Sequence, residues 1–322
     1  MKIGELFLFG YKPDNFEFIR EFARHHGLGG IILFPHNFES LKKLRSQIND
    51  LQEICGHRLI VSIDQEGGAV NRITEDFPVF PAPAYYGERS ALNGVAHAAA
   101  TTARNLRSLG INTDFVPVCD VLTNPDNRLM KRRSYSSDPQ AVSDFVSTVI
   151  KACQANSLLT CAKHFPGLGS AAIDPHKMLA TTGIVREEFY HIHFQPFRQA
   201  IADSVPLVMT THLLAAALDP DNMATFSKII VNDILRSELG FEGVVICDDL
   251  GMGAVTSAFT AAERAERVLM SGHDMIMFCH DREDQKSAFE KILDNINSGK
   301  FSEQFIGEKI ERIGILKAKI RA

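Results

Sequence analysis

Several features that define other protein classes are missing from this sequence. It has no apolar run long enough to cross a membrane, no internal repeat and no low-complexity tract. The one basic cluster, Lys131 to Arg133, is short, and the net charge of −5 leaves no basic face for nucleic acid. The composition therefore argues against a membrane-spanning or nucleic-acid-binding protein and predicts an ordinary globular one.

Paired cysteines are also missing. The six cysteines are scattered, and none of them forms a C-x-x-C motif. Most lie within apolar runs, so we expect reduced, buried thiols rather than disulfides or a metal site. Residues 1–10 do not have the pattern of a secretory signal, and a cytoplasmic location is expected. No metal or cofactor is predicted.

Three familiar catalytic motifs are absent. No G-x-G-x-x-G follows the first apolar run, and the chain contains neither G-x-S-x-G nor a phosphate-binding G-x-x-x-x-G-K. A dinucleotide site, a serine nucleophile on a sharp turn and a nucleotide phosphate loop are therefore not predicted.

What the chain does contain is a regular alternation of short apolar runs and longer helical patterns. The runs are Leu6–Gly10, Gly30–Phe34, Leu59–Asp64, Thr113–Val118, Leu159–Phe165, Leu207–His212, Val244–Asp249 and Asp274–Phe278. Their nearly continuous hydrophobicity is typical of parallel strands that are covered on both faces. Eight strand–helix units predict the α/β class and a (β/α)8 TIM barrel, as one catalytic domain over residues 1–322. A doubly wound open sheet is the main alternative.

Polar residues stop several of the runs. They are Asp64, Lys163 with His164, His212, and Asp248 with Asp249. Because the carboxyl ends of barrel strands surround one pocket, we expect these side chains to converge there. Their convergence predicts an enzyme.

The segment from Lys163 to Lys177, KHFPGLGSAAIDPHK, combines a strand end with a glycine-containing loop. Lys163 and His164 are expected in the floor of the pocket, and the loop carries Asp174 and His176. A carboxylate that attacks a sugar carbon, with a proton donor opposite, fits these groups. A carboxylate beside His176 would favour its protonated form and orient the ring.

Taken together, the motifs resemble glycoside hydrolase family 3, and within it the bacterial β-N-acetylglucosaminidase branch. They are IDQEGG at Ile63–Gly68 followed by Arg72, DFVPVCD at Asp114–Asp120, RSYSSDP at Arg133–Pro139, KHFPGLG at Lys163–Gly169, DPH at Asp174–His176, TH at Thr211–His212 and LGFEGVVICDDL at Leu239–Leu250. Their order and spacing carry the resemblance, which extends over most of the chain.

The resemblance implies a role for each matching residue. Asp248 would be the nucleophile, His176 the general acid and base, and Asp174 the residue that orients His176. The sugar hydroxyls would be held by Asp64, Arg72, Arg133, Lys163 and His164. The implied activity is that of a retaining exo-β-N-acetylglucosaminidase that removes terminal GlcNAc from peptidoglycan-derived muropeptides, with no nucleic-acid or membrane partner.

The chain departs from the family pattern in this loop, and alternatives are open. The family has a His where this chain has Leu168, and a Ser is common where it has Pro175. One alternative is a catalytically silent sugar-binding barrel in which the altered loop no longer closes. Another is a β-N-acetylglucosaminide phosphorylase, because a His rather than a carboxylate as acid and base leaves the pocket less repulsive to phosphate. Glu66 is the alternative acid if His176 is idle.

Structural roles remain open for several residues: ion pairing for Arg133 and Lys163, and packing for His164 and His212. Asp249 is expected to pair with an Arg or cap the next helix, and His191 and His193 are interpreted as surface or packing residues.

Overall fold

Parallel strands alternate with helices along the chain. The computed structural model describes residues 2–56, 58–171 and 179–320. Within these residues the strands, β1 to β10 in chain order, are Phe7–Gly10, Gly30–Leu33, Ile60–Ile63, Thr113–Asp114, Leu159–Phe165, Ala180–Thr182, Leu207–Thr210, Leu213–Ala215, Val244–Cys247 and Ile276–Phe278.

Eight of these strands form one parallel sheet in the order β10-β1-β2-β3-β4-β5-β7-β9. The first and last strands of the chain pair directly, with Phe7 opposite Ile276. A bridge between Ile246 and Met275 joins the two ends of this order. The sheet therefore closes on itself, which confirms the predicted TIM barrel and excludes the open sheet.

Helices follow the strands, as in other barrels of this type. Their bounds are Phe16–His26, Leu41–Ile54, Pro83–Gly87, Leu92–Ser108, Pro139–Ala155, Arg186–Glu188, Phe189–His193, Phe194–Ala202, Ile229–Glu238, Gly253–Thr256, Ala261–Met270, Arg282–Asn297 and Glu303–Ala318, with single 3₁₀ turns at Ile3–Leu6, Pro13–Asn15, Pro35–Asn37 and Ala224–Phe226. Phe189–His193 and Ile229–Glu238 have the wider turns of a π-helix. Among the described residues, no helix is both long and apolar enough to cross a membrane.

Local sequence explains where many helices begin and end. Ser40 and Ser302 accept backbone N–H bonds in the first turns of Leu41–Ile54 and Glu303–Ala318. Glycines at 27, 110 and 240 lie at or just beyond helix ends and have positive φ values of +76°, +86° and +71°, which side chains other than that of glycine rarely tolerate.

The fourth strand is shorter than predicted. The apolar run Thr113–Val118 pairs as a strand only at Thr113–Asp114. Pro117 has no N–H to donate to a ladder, although its carbonyl accepts from the Lys163 amide at 3.2 Å. The separate two-stranded sheet of β6 and β8 was not predicted, because each strand has only three residues.

Candidate active site

A pocket of about 430 Å³ lies at the carboxyl ends of the barrel strands. Its walls include charged side chains from the end of β5 and from the loops that follow β3, β4 and β9: Asp64, Glu66, Arg72, Arg133, Lys163, His164, Asp248 and Asp249. Apolar and aromatic side chains complete it, among them Phe34, Phe115, Leu168, Met209, Met277 and His280. Most of these charged residues follow apolar runs, so the strands themselves bring them together.

Lys163 is the central cation of the pocket floor. Its Nζ lies 2.6 Å from Asp64 Oδ1 and 2.6 Å from Glu66 Oε1, and the residue is 1% exposed. A cation taken this far from water is stabilised only by close opposite charges. Burial alone would lower the pKa of Lys163, but Asp64 and Glu66 outweigh it and raise that pKa above its ordinary value. The ammonium is therefore a permanent hydrogen-bond donor at neutral pH.

Glu66 joins Lys163 to Arg133. Arg133 Nη2 and Nε lie 2.7 Å and 2.8 Å from the two oxygens of the Glu66 carboxylate, a bidentate pair. Burial would raise the pKa of Glu66, but Arg133 and Lys163 together hold it well below its ordinary value. The lowered pKa of Glu66 argues against the alternative of Glu66 as the catalytic acid, since a carboxyl that stays ionised has no proton to give.

His164 is held by a carboxylate that was not singled out from the sequence. Asp120 Oδ2 lies 2.8 Å from His164 Nδ1, and Arg133 Nη2 lies 3.2 Å from His164 Nε2. The carboxylate accepts, so Nδ1 carries the ring proton, and Nε2 then accepts from the guanidinium. Asp120 closes the DFVPVCD motif, which is the signal by which it could have been found.

Asp120 also anchors the start of the loop that contains Leu168. The Leu168 amide donates to Asp120 Oδ1 at 2.5 Å, and the Leu168 carbonyl accepts from Asn127 at 2.8 Å. These bonds use only the backbone of residue 168, so they do not require a histidine there. The Leu168 side chain lines the pocket instead, which makes this wall more apolar than the family motif implies.

Arg72 is positioned by the loop after β3. Its Nη2 lies 3.1 Å from Asp64 Oδ2, and its guanidinium lies 5.3 Å from the centre of the Phe34 ring. The Arg72 amide donates to Gln65 Oε1 at 2.8 Å, which ties it to the residue after Asp64. Arg72 and Lys163 together lower the pKa of Asp64 against the opposing effect of burial.

The two consecutive aspartates after β9 have different environments. Asp249 Oδ1 accepts from the amides of Gly251 at 2.9 Å and Cys279 at 3.0 Å, so its carboxylate is used to hold the loop. Asp248 Oδ1 accepts from the Asp249 amide at 2.8 Å, and the residue lines the pocket. Asp249 thus has a structural role, although it holds two loop amides rather than capping the next helix as expected.

The structure brings Asp64, Arg72, Arg133, Lys163, His164 and Asp248 together in this pocket. Asp174 and His176 lie outside the described residues, so their predicted roles remain predictions. His212 lies behind the pocket, fully buried. Glu66, Asp120 and His280 are the site residues that were given no binding role from the sequence.

A metal site was considered unlikely from the sequence. Over residues 2–56, 58–171 and 179–320, no group of three or more His, Cys, Asp or Glu side chains is placed to hold a metal ion.

Paired carboxylates and fixed cations in a pocket of this size suit a ligand with many hydroxyl groups, since each hydroxyl both donates and accepts. The fold and the site thus define a sugar-processing barrel. The chain belongs to glycosyl hydrolase family 3, because the profile of that family's N-terminal domain matches residues 1–316. The expectation of a glycoside hydrolase is thereby confirmed.

Similar proteins agree with this membership. The chain is 34% identical over 265 residues to a protein from Alkalilimnicola ehrlichii named beta-hexosaminidase, covering 80% of this chain and 76% of that one. A beta-hexosaminidase from Psychromonas ingrahamii is 30% identical over 292 residues, 89% of this chain and 84% of that one.

Solved structures show the same fold. A family 3 beta-N-acetylglucosaminidase from Paenibacillus sp. superposes with a TM-score of 0.94 at 33% identity, over 99% of this chain but only 62% of that longer one. The beta-N-acetylglucosaminidase from Thermotoga maritima superposes with a TM-score of 0.87 at 25% identity, over 99% of this chain and 68% of that one.

Proposed function

We propose that the protein is a retaining exo-β-N-acetylglucosaminidase. The observation that carries the proposal is the position of Asp248, in one pocket with the network of Asp64, Glu66, Arg133, Lys163 and His164. Relatives named beta-hexosaminidase support hydrolysis of a β-linked N-acetylhexosamine.

The reaction has two displacements at one carbon. In the first, the Asp248 carboxylate attacks the anomeric carbon, the bond to the aglycone oxygen breaks, and His176 gives that oxygen its proton. In the second, water attacks the same carbon, His176 accepts a proton from the water, and Asp248 leaves. Asp174 orients His176, and the two inversions retain the anomeric configuration.

The fixed charges support binding of a terminal sugar. Lys163 and Arg133 donate to hydroxyl oxygens, while Asp64 accepts from hydroxyl protons. Because ion pairs already hold these groups in place, the sugar meets donors and acceptors that need little reorganisation.

We further propose that the substrates are GlcNAc-terminated muropeptides of peptidoglycan recycling. We also propose that the protein acts in the cytoplasm, where its six free cysteines would stay reduced.

Turnover of an aryl N-acetyl-β-glucosaminide, with and without added phosphate, tests the reaction class. Hydrolysis that does not depend on phosphate supports the proposal. Turnover that requires phosphate would identify a phosphorylase, and binding of GlcNAc with no turnover would identify a silent sugar-binding barrel.

Asp248→Ala tests the nucleophile. We expect turnover to fall by roughly 10⁴-fold or more, because the covalent path is lost. Asp126→Ala, which removes an exposed loop carboxylate, is the matched control and should keep full activity. Mass spectrometry of wild-type protein quenched with a slow substrate should find the sugar on Asp248, and a sugar found elsewhere would refute the assignment.

His176→Ala tests the acid. Substrates with poor leaving groups need the proton most, so they should lose far more activity than aryl glycosides with good leaving groups. Equal losses for both kinds of substrate would remove His176 from this role.

A further inference from the structure

A fully buried histidine contacts the loop that carries the proposed nucleophile. His212 follows β7 and is 0% exposed. Its Nε2 lies 2.9 Å from the carbonyl oxygen of Asp249, and its Nδ1 lies 2.8 Å from Thr225 Oγ1. The sequence left open whether His212 serves the site or only packs in the core, and these contacts link it to the site.

The protonation of the ring follows from its partners. A carbonyl oxygen can only accept, so the His212 Nε2 that faces Asp249 must carry a proton. Thr225 Oγ1 has a single proton and lies 3.0 Å from the Thr211 carbonyl as well as near Nδ1. The ring is therefore either the neutral Nε2–H tautomer or the imidazolium, and in both states it donates to Asp249.

Asp249 in turn sets the direction of the Asp248 carboxylate. The Asp249 amide donates to Asp248 Oδ1 at 2.8 Å, while the Asp248 amide donates to the Thr210 carbonyl at 3.0 Å. On the far side, Asp249 Oδ1 holds the amides of Gly251 and Cys279. The Asp249 carbonyl accepts from two donors, the His212 ring and the Met252 amide at 3.1 Å, and His212 is the one that reaches it from the barrel core.

We propose that His212 is a positioning residue for Asp248. Its Nε2–H fixes the Asp249 carbonyl, and the Asp249 amide, thus held, orients the nucleophilic oxygen toward the anomeric carbon. This inference rests on the proposed function, in which Asp248 is the nucleophile. A displacement of about 1 Å at a reacting group is enough to reduce turnover about 10²-fold, so a distant donor can control the rate.

A second buried histidine provides a matched control. His273 is also 0% exposed, and its ring nitrogens lie 2.7 Å from Thr210 Oγ1 and 2.9 Å from Ser271 Oγ. Both ring contacts are to side chains of the barrel wall, and neither is to Asp248 or Asp249. Replacing His273 disturbs a buried polar network of similar size but leaves the hydrogen bond from His212 to the Asp249 carbonyl in place.

The first test compares three variants with an aryl N-acetyl-β-glucosaminide. His212→Phe keeps a ring but removes the donor, and its kcat should fall about 10²-fold with KM changed by less than about 3-fold. His212→Gln has an amide that can donate to the same carbonyl, and it should recover most of the loss, to within about 10-fold of wild type. His273→Gln should keep its kcat within about 2-fold and lose only thermal stability.

The second test reads the ring directly and needs no substrate. Long-range ¹⁵N–¹H correlation spectra of histidine-labelled protein, assigned with His212→Gln, should show a proton on Nε2. A ring protonated only at Nδ1 would overturn the inference, since it cannot donate to Asp249. An unchanged kcat in His212→Phe, or an equal loss in His212→Phe and His273→Gln, would also overturn it.

If His212→Phe does not fold, the threonine that holds the ring provides the test. Thr225→Val removes the partner of Nδ1, whereas Thr225→Ser keeps it, so kcat should fall in the first and be retained in the second. Equal kcat values in both would count against the inference. The proposed function fails separately, through absence of turnover in the wild type while the Nε2 proton is still observed.

Discussion

Glu66 is the residue on which the arrangement of the pocket cations depends. Its side chain is 0% exposed and bridges Arg133 and Lys163, both of which are proposed to touch the sugar. Without it, Lys163 would keep its contact with Asp64, and Arg133 would lose its bidentate carboxylate partner. Removing one partner of a buried ion pair is costly because the other charge is left without compensation.

Glu66→Gln should therefore weaken sugar binding and stability together. We expect the free energy of unfolding to fall by about 3 kcal/mol and KM to rise roughly 10-fold to 100-fold, since an amide cannot neutralise the two cations. Urea denaturation and calorimetric titration with GlcNAc measure these changes. The loss should be the same for substrates with good and poor leaving groups, because Glu66 gives no proton.

Glu39→Gln is the matched control for that variant. It breaks an exposed pair with Lys43, and such surface pairs contribute about 0–1 kcal/mol. Its stability and KM should equal those of the wild type within error. If Glu66→Gln affected only substrates with poor leaving groups, Glu66 would act as an acid after all.

The site residues that follow strands could be predicted from the sequence, but the residues that form ion pairs with them could not. Asp64, Lys163, His164 and Asp248 follow apolar runs, so their convergence could be derived from the barrel. The partners of Arg133 could not, because Glu66 lies 67 residues from it in the chain. Such a pair depends on loop geometry, which local patterns do not specify.

Just before β10, the neighbouring residues His273 and Asp274 place a neutral imidazole next to a carboxylate that is held by hydrogen bonds. Asp274 accepts from Arg312 at 2.7 Å and from the Val245 amide at 2.8 Å. Burial, followed by the charge of Lys309, lowers the pKa of His273 to about 3. The His273 imidazole is therefore uncharged at neutral pH.

The lowered pKa of His273 makes stability depend on pH in a defined direction. The unfolded chain binds a proton at this residue below about pH 6.5, and the folded chain does so only near pH 3, so acid favours unfolding between these values. The stabilisation is present above pH 6.5 and is lost at about 1.4 kcal/mol per pH unit below it.

His273→Gln should remove this dependence. The difference in unfolding free energy between wild type and variant, measured in urea, should shrink by about 1.4 kcal/mol per unit from about pH 6.5 to about pH 4.5. Groups common to both proteins cancel in this difference. A difference that stays constant with pH would contradict the neutral state of His273.

Most elements could be predicted from the sequence because their hydrophobic periods are clear. The strands Gly30–Leu33, Leu159–Phe165 and Val244–Cys247 agree with their apolar runs to within two residues. The strand at Thr113–Asp114 does not, since an apolar run does not show where Pro117 interrupts the ladder. Hydrophobicity thus predicts burial better than it predicts strand pairing.

For the molecule as a whole, the two ends of the chain meet on the face opposite the pocket. The side chain of Lys317, in the last helix, donates to the carboxylate of Glu5 and, at 3.1 Å, to the carbonyl of Leu28. Lys317 is 6% exposed, so these partners replace its water. The last helix, Glu303–Ala318, therefore closes the bottom of the barrel.

Lys317→Met should separate stability from activity. The variant keeps the length of the side chain but leaves Glu5 and the Leu28 carbonyl without their donor, so unfolding should become easier by about 1–3 kcal/mol. Since the pocket lies at the other end of the strands, kcat and KM below the melting temperature should be unchanged. Lys319→Met, at an exposed position two residues on, is the control and should change neither property.

A double-mutant cycle of Lys317→Met with Glu5→Gln tests the contact itself. The double variant should be more stable than the sum of the single losses implies, because the two residues share one contact. Additive losses, or a reduced kcat in folded Lys317→Met, would show that the terminal helix does not act as this closure of the barrel.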